Sequence, residues 1–434
     1  MKTIMSIART GAIPEELKVI AKEEGLSINK LRERVALGKV VVLRNVKRQG
    51  IKIVGVGEGL RTKVNVNVGT SPSVIDLEME IEKVRIAMEY GADSIMDLST
   101  GGDLDRIRRR LLEESTLPFG TVPVYQTYIE AVKTKGSMPD EDDFIKTLEK
   151  HLKDGVDFMT IHAGITLELA KSTLEGNRTE YIVSRGGSIL AVWMLENNCE
   201  NPYYSNWDYI LDLFTEYDAV ISLGDALRPG ALTDALDHFQ ISELIVNAKL
   251  LKRARKRGVQ VMVEGPGHVP LNKIATDVRL MKSLTDGAPY YVLGPLVTDI
   301  SIGYDHISSA IGAAIAAAEG ADFICYLTPA EHLSLPNPEQ VKEGLIAARI
   351  AAHAGDIVKL GSKAMEKDLK ISMYKRKLQW DKVVNMSIDP KRAKSIHEQY
   401  GIKVPSCNMC GDLCVFLLLS KYLKNKDPNF SSKY

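Results

Sequence analysis

The sequence carries no excess of charge: Lys+Arg and Asp+Glu are each 56 in 434 residues, giving a net charge of zero. Nothing in such a balance recruits nucleic acid or an anionic membrane, and neither partner is expected. Long apolar stretches are also missing, and the longest small-apolar run, Ala310 to Ala318, is too short to span a bilayer. The opening Met1-Lys2-Thr3-Ile4-Met5 leads into polar, helix-like sequence without a secretory apolar core, so a cytoplasmic location is expected and the sequon Asn177-Arg178-Thr179 is read as chance. No GxGxxG opens a βα unit, which disfavours a dinucleotide fold, and there is no HExxH, Walker glycine loop or GxSxG elbow. Hydrolase and kinase chemistry therefore find no footing. Cysteine is scarce, five residues with three of them close together, which argues for a reducing compartment and thiolate chemistry rather than a disulfide framework.

What is present describes a soluble globular chain, 45% hydrophobic and 26% charged, long enough for one large domain and a smaller one. Residues 1–60 read as a helical lead-in, a cap or dimerisation segment, with apolar residues at mixed three and four spacing from Ile13 to Leu37 and Pro14 at an early helical position. From Val64 a rhythm sets in, a short apolar run followed by a helical pattern. The strand candidates are Val64-Val68, Ser94-Leu98, Gly120-Tyr125, Phe158-His162, Tyr181-Ser184, Ala219-Gly224, Val259-Val263, Tyr290-Leu293 and Phe323-Leu327. Strand and helix repeated this often mean a parallel sheet, and the count fits an α/β fold of the (βα)8 TIM barrel type over 61–355, with one candidate too many. Asn65, Asn67, Asp97, Tyr125, His162, Ser184, Arg185, Asp225, Arg228, Glu264, His268 and His332 fall at or just past strand ends. In a barrel those positions line one mouth, and helix capping alone explains His, Arg and Tyr at successive ends poorly. The basic run Leu250 to Arg257 before Gly258 reads as cations in a last helical turn, and Arg106 to Arg110 as a solvated helix face. After Leu360 the rhythm stops, and 356–434 reads as a small helical domain with a frayed end from Lys424 to Tyr434.

That tail holds Cys407, Cys410 and Cys414 in Cys-x2-Cys-x3-Cys spacing, with Gly411 allowing a tight turn. No cysteine follows Cys414 and His397 has no special spacing, so three thiolates suit a [4Fe-4S] cluster with one open iron. Zinc with a distant ligand, or plain buried thiols, remain the alternatives. Ser184-Arg185-Gly186-Gly187 offers backbone N–H groups, a hydroxyl and a guanidinium at a helix start, as a phosphate requires; Asp225 to Arg228 adds a carboxylate and a second arginine. His268 and His332, on separate loops, are the candidate metal-binding imidazoles.

The stretches Asn65-Val66-Asn67, Ile95-Met96-Asp97-Leu98-Ser99-Thr100-Gly101, Gly120-Thr121-Val122-Pro123, Thr160-Ile161-His162-Ala163-Gly164, Val183-Ser184-Arg185-Gly186-Gly187 and Val263-Glu264-Gly265-Pro266-Gly267-His268 resemble the phosphomethylpyrimidine synthase (ThiC) family of thiamin biosynthesis. So do Leu293-Gly294-Pro295-Leu296, Gly303-Tyr304-Asp305-His306-Ile307 and Thr328-Pro329-Ala330-Glu331-His332-Leu333, and the match runs in one order to Cys414. The resemblance implies a radical S-adenosylmethionine lyase on a TIM barrel, with a small helical C-terminal iron-sulfur domain. It implies a homodimer whose cluster domain reaches over the partner's active site. The implied reaction rearranges aminoimidazole ribotide to 4-amino-5-hydroxymethyl-2-methylpyrimidine phosphate; the alternative is a related synthase that makes 5-hydroxybenzimidazole for cobamides from the same ribotide.

By the same resemblance, Cys407, Cys410 and Cys414 hold the [4Fe-4S] cluster that binds S-adenosylmethionine, and His268 and His332 hold zinc or another divalent metal. Asn67, Met96, Tyr125, His162, Ser184, Arg185, Gly186, Asp225, Ala226, Leu227, Arg228, Glu264 and Tyr291 form the ribotide site. A small reductase, flavodoxin or ferredoxin would donate electrons. The chain departs from the commoner family pattern in its x3 cysteine spacing and short lead-in, in Ala226 where glycine is usual, in Ser301-Ile302 before Gly303, and in Leu43-Arg44-Asn45.

Overall fold

The computed structural model describes residues 3–401 and 409–426, in two compact units, Met1–Lys359 and Leu360–Tyr434. The lead-in begins with helices Ile4–Arg9, Glu15–Glu23 and Ile28–Ala36, but it is not wholly helical. Strand β1, Val40–Leu43, pairs antiparallel with β2, Val54–Gly57. The run Val-Val-Val-Leu is β-branched, and its pleat is used on both sides. Val40 and Val42 join Ile4, Leu17, Leu31 and Val35 in a small core, while Val41 and Leu43 enter the main one. Gln260, just ahead of a barrel strand, bonds both backbone groups of Val42, and Asn45 donates its N–H to Asp157 Oδ1 at 2.8 Å. The hairpin thus packs at the N-terminal ends of the barrel strands, and the opposite end is left as the mouth.

Eight parallel strands close the barrel. They are β3 (Lys63–Val68), β4 (Ser94–Asp97), β5 (Phe119–Thr121), β6 (Phe158–Ile161), β7 (Val220–Leu223), β8 (Val261–Gly265), β9 (Tyr290–Leu293) and β10 (Phe323–Cys325), with β10 pairing back onto β3. Side chains fill the interior: the rings of Phe158 and Phe323 meet edge to face at 6.1 Å. Gly120 is required there, because a Cβ on it would come within 2.4 Å of the Phe158 ring.

Of the nine strand candidates, Tyr181-Ser184 is not a strand. β6 and β7 pair directly, Phe158 opposite Val220, so closure leaves no place between them. The chain from β6 to β7 instead carries helices Leu167–Glu175, Arg185–Asn197, Pro202–Ser205 and Trp207–Tyr217, with Tyr181 and Val183 exposed on the loop ahead of the second. The Arg106 to Arg110 face is also less solvated than its composition implies: Arg108 is buried and donates to Asp105, Asp154 and Gln126. The basic run before Gly258 does close a helix, His238–Arg257, on a glycine in the left-handed region.

In the second unit, helices Ser362–Arg376, Trp380–Met386, Pro390–Glu398 and Val415–Lys426 are described, with the rings of Trp380 and His397 stacked at 5.7 Å. Cys407 lies outside the described residues, as does most of the tail expected to fray, from residue 427 onward. Among the described residues no helix is long and apolar enough to cross a membrane.

Candidate active site

The C-terminal ends of the strands enclose a cavity of about 90 Å3 lined by Asn67, Met96, Tyr125, His162, Asp225, Arg228, Glu264 and Tyr291, eight of the residues singled out by sequence. Its floor is a network that strand periodicity builds. Asn65 and Asn67 share a face of β3; Ser94 Oγ donates to Asn65 Oδ1, Asn65 Nδ2 to Asn67 Oδ1, and Asn67 Nδ2 to Cys325 Sγ at 3.0 Å. Burial pushes the Cys325 thiol up to about 12, so it is a neutral acceptor. Tyr291 is stacked on Phe323, ring centroids 4.3 Å apart.

On the opposite wall Glu264 Oε1 accepts from Thr160 Oγ1 at 2.5 Å and Ser222 Oγ at 2.7 Å. Burial and the neighbouring Asp225 carboxylate push Glu264 up to about 8. Both hydroxyls address the same oxygen, so Oε2 is free to carry the proton at neutral pH. Asp225 holds Arg228 at 3.0 Å through one oxygen and leaves the other buried with no partner. Burial raises the Asp225 carboxyl against the pull of that arginine. His162 is buried, and burial, with Arg228 nearby, lowers it to about 3. It is therefore a neutral imidazole, with Nε2 3.2 Å from Ser184 Oγ and Nδ1 unpartnered. A buried orphan acceptor and a buried orphan ring nitrogen beside one cavity are what a polar ligand would satisfy.

Ser184, Gly186, Ala226 and Leu227 support this cavity rather than line it. Ser184 caps helix Arg185–Asn197, its hydroxyl accepting from Gly187 N–H. Gly186 and Gly224 clasp the His162 ring: a Cβ on either would lie 2.4 or 2.7 Å from it. Ala226 is buried with its methyl turned to Gly187, away from the cavity, so the departure from glycine there is a packing change.

Arg185 sits over the Tyr125 ring, 5.1 Å from its centroid. Arg185, Tyr125, Arg228 and Asn67 also line an outer cavity of about 550 Å3, which reaches His268 and His332. The ring centroids of the two histidines are 5.4 Å apart. His268 Nδ1 bonds Asp299 Oδ1 at 2.7 Å, and His332 Nδ1 lies 3.4 Å from Asp305 Oδ1. A carboxylate on each Nδ1 leaves each Nε2 as the donor, the usual outer shell of a metal-binding imidazole. His332 has φ +63°, a backbone state uncommon outside glycine, which aims its ring into the mouth. Among the described residues no three His, Cys, Asp or Glu side chains converge as a metal site, and His268 and His332 are the pair of imidazoles this mouth offers a divalent ion. Ile302, another departure from the family pattern, lines this outer cavity.

In the second unit Cys410 and Cys414 flank the turn Gly411–Leu413, with Gly411 at φ +51°; both are free thiols. Soft thiolates on one tight turn fit an iron-sulfur cluster.

Sequence reasoning missed Thr160, Ser222, Cys325, Glu243, Asp299 and Asp305. The first two had a visible signal, a lone hydroxyl residue inside the apolar strands Phe-Met-Thr-Ile and Val-Ile-Ser-Leu. Glu243 had none, because it stands in a helix; both its oxygens accept from the amides of Ala226 and Leu227.

A closed parallel barrel with buried carboxylates, a neutral histidine and a wide polar mouth defines an enzyme of the TIM-barrel class. The chain belongs to the Radical SAM ThiC family, whose sequence profile it matches over residues 3–421. It is 59% identical over 430 residues to a phosphomethylpyrimidine synthase of Ignicoccus hospitalis, covering 98% of each chain. Its identity to the enzyme of that name from Sulfurisphaera tokodaii is 60%, over 95% of this chain and 96% of the other. For that of Sulfolobus acidocaldarius it is 58%, over 97% and 99%. As a member of this family the chain is a radical S-adenosylmethionine enzyme, with S-adenosylmethionine and an iron-sulfur cluster as its cofactors.

Proposed function

We propose that this chain is a phosphomethylpyrimidine synthase, rearranging aminoimidazole ribotide to hydroxymethylpyrimidine phosphate for thiamin. The observation that carries the reading is identity of 59% along essentially the full length of a relative bearing that name. The hydroxybenzimidazole alternative is not favoured, since the relatives compared carry the pyrimidine name.

The residues support the following roles. The spare amides at the start of helix Arg185–Asn197 and the Arg185 guanidinium take the ribotide phosphate. Asp225, with one oxygen unspent, and Glu264, able to hold or release a proton on Oε2, meet the aminoimidazole nitrogens. Tyr125 and neutral His162 orient the sugar between them. Met96, Leu98 and Val122 line the same cavity and keep water from it. Cys407, Cys410 and Cys414 hold a [4Fe-4S] cluster, which with S-adenosylmethionine supplies one-electron chemistry when bound. His268 and His332 hold zinc or another divalent ion. The working enzyme is a cytoplasmic homodimer, divided as 1–60, 61–355 and 356–434 and reduced by a small reductase, flavodoxin or ferredoxin.

The test is mass-spectrometric identification of products after incubating anaerobically reconstituted protein with reductant, S-adenosylmethionine and aminoimidazole ribotide. Hydroxymethylpyrimidine phosphate with deoxyadenosine is expected. Hydroxybenzimidazole instead would refute the thiamin assignment while keeping the site roles.

A further inference from the structure

The loop after β7 makes a β-turn, in which Arg228 N–H donates to Asp225 O at 3.1 Å. A turn closed this way uses its first carbonyl and last amide and leaves its two central amides without a partner. Here those amides belong to Ala226 and Leu227, both fully buried, where water cannot serve them. Glu243, on helix His238–Arg257, takes both: Oε1 accepts from Ala226 N–H at 2.9 Å and Oε2 from Leu227 N–H at 2.7 Å. One helical turn on, Asn247 Nδ2 donates to Gly224 O at 3.2 Å. The carbonyl of Leu227 is held in turn by Arg178, which is anchored on Asp237 at the start of the same helix. Gly164, after β6, admits this pair by having no side chain: a Cβ there would lie 2.4 Å from Asn247 Oδ1 and 2.9 Å from Glu243 Cγ.

The ends of the clamped turn are Asp225 and Arg228, the charged pair that lines the inner cavity. Glu243 itself does not line it. We propose that Glu243 is a positioning residue for ribotide binding, its carboxylate fixing the Asp225–Arg228 turn in the one rotation that offers both charged side chains to the ligand. The inference rests on the ribotide reading above. Glu243→Gln is nearly isosteric, but its NH2 must face one amide N–H. One buried donor is then orphaned and the turn is free to rotate.

The experiment is calorimetric titration of reconstituted wild type, Glu243→Gln, Arg228→Ala and the double variant with aminoimidazole ribotide and, separately, with S-adenosylmethionine. Loss of one buried hydrogen bond at this turn is expected to weaken ribotide affinity about ten- to a hundredfold, with S-adenosylmethionine affinity changed less than about twofold. In the Arg228→Ala background the Glu243→Gln effect is expected to shrink by about threefold or more, because one of the two charged groups it positions is gone. Amide exchange in the peptide containing Ala226 and Leu227 should speed up. If Glu243→Gln melts below the assay temperature, Glu243→Asp, which keeps the charge and falls short of one amide, carries the same comparison. Equal losses for both ligands, or full additivity in the double variant, overturn the inference in favour of general stability. Wild type that fails to bind ribotide removes the reading beneath it; wild type that binds, beside an unchanged Glu243→Gln, removes this inference alone.

Discussion

Glu264 shows how one buried carboxyl links stability to chemistry. Its ordinary value is 4.5 and the folded site raises it to about 8, so across that interval the native state holds a proton that the unfolded chain gives up. The stabilisation is complete below 4.5 and is lost as pH rises through about 8. Asp218, raised to about 7, adds the same sign. Urea denaturation should show wild type losing stability between about pH 5 and about pH 8, and Glu264→Gln losing measurably less. An identical fall in both proteins would mean that Glu264 titrates as an exposed residue does. At the same scale, Arg185→Ala should weaken ribotide binding about tenfold or more and leave S-adenosylmethionine binding nearly unchanged, since a guanidinium on phosphate is a charge-assisted contact. Parallel loss of both affinities would take the phosphate away from this helix start. These residues were legible in sequence because histidine, arginine and carboxylates at successive strand ends are costly unless used. Cys325 and Glu243 were not, because a thiol inside an apolar strand and a glutamate inside a helix look like ordinary filling.

Among the elements, helix Arg185–Asn197 couples capping to the site. Its cap hydroxyl touches His162, and its second residue must be glycine because the imidazole occupies the place of a Cβ. Gly186→Ala should therefore displace the ring or the helix start, costing about 1–3 kcal/mol by overpacking. Thermal melting is expected to fall by several degrees, with a larger proportional loss in ribotide affinity. Unchanged melting and affinity would mean that the ring moves aside freely. The start of this helix was readable from Ser-Arg-Gly-Gly, whereas the short apolar run ahead of it reads as a strand by local pattern. What removes it from the sheet is the direct pairing of β6 with β7. The hairpin of β1 and β2 was missed for a related reason: a four-residue valine-rich run has no periodicity to separate strand from buried helix.

For the whole molecule, the split at Lys359 and Leu360 predicts separable consequences. Cys410→Ala should abolish product and iron loading while circular dichroism and the barrel's melting transition stay as in wild type, because the barrel's core residues all precede the split. Global unfolding of that variant would show that the barrel depends on the cysteine loop. The outer cavity makes a further prediction. With two imidazoles each backed by a carboxylate, chelation should strip a divalent metal from wild type, and His268→Ala should lower its affinity about ten- to a hundredfold while leaving the melting transition in place. Metal analysis after dialysis reads this directly, and an unchanged stoichiometry would move the ion elsewhere.

The barrel, its mouth and most of the inner cavity were legible in the sequence. Strand and helix periods are local, and chemistry-bearing residues placed just after strands must share one end once the sheet closes. Tertiary structure decided the rest. Closure admits eight strands and excludes the ninth candidate, the Ala226 methyl turns under a helix rather than into the cavity, and Glu243 reaches the amides of a distant turn. Each of these depends on which surfaces meet across the fold, and no local period encodes that.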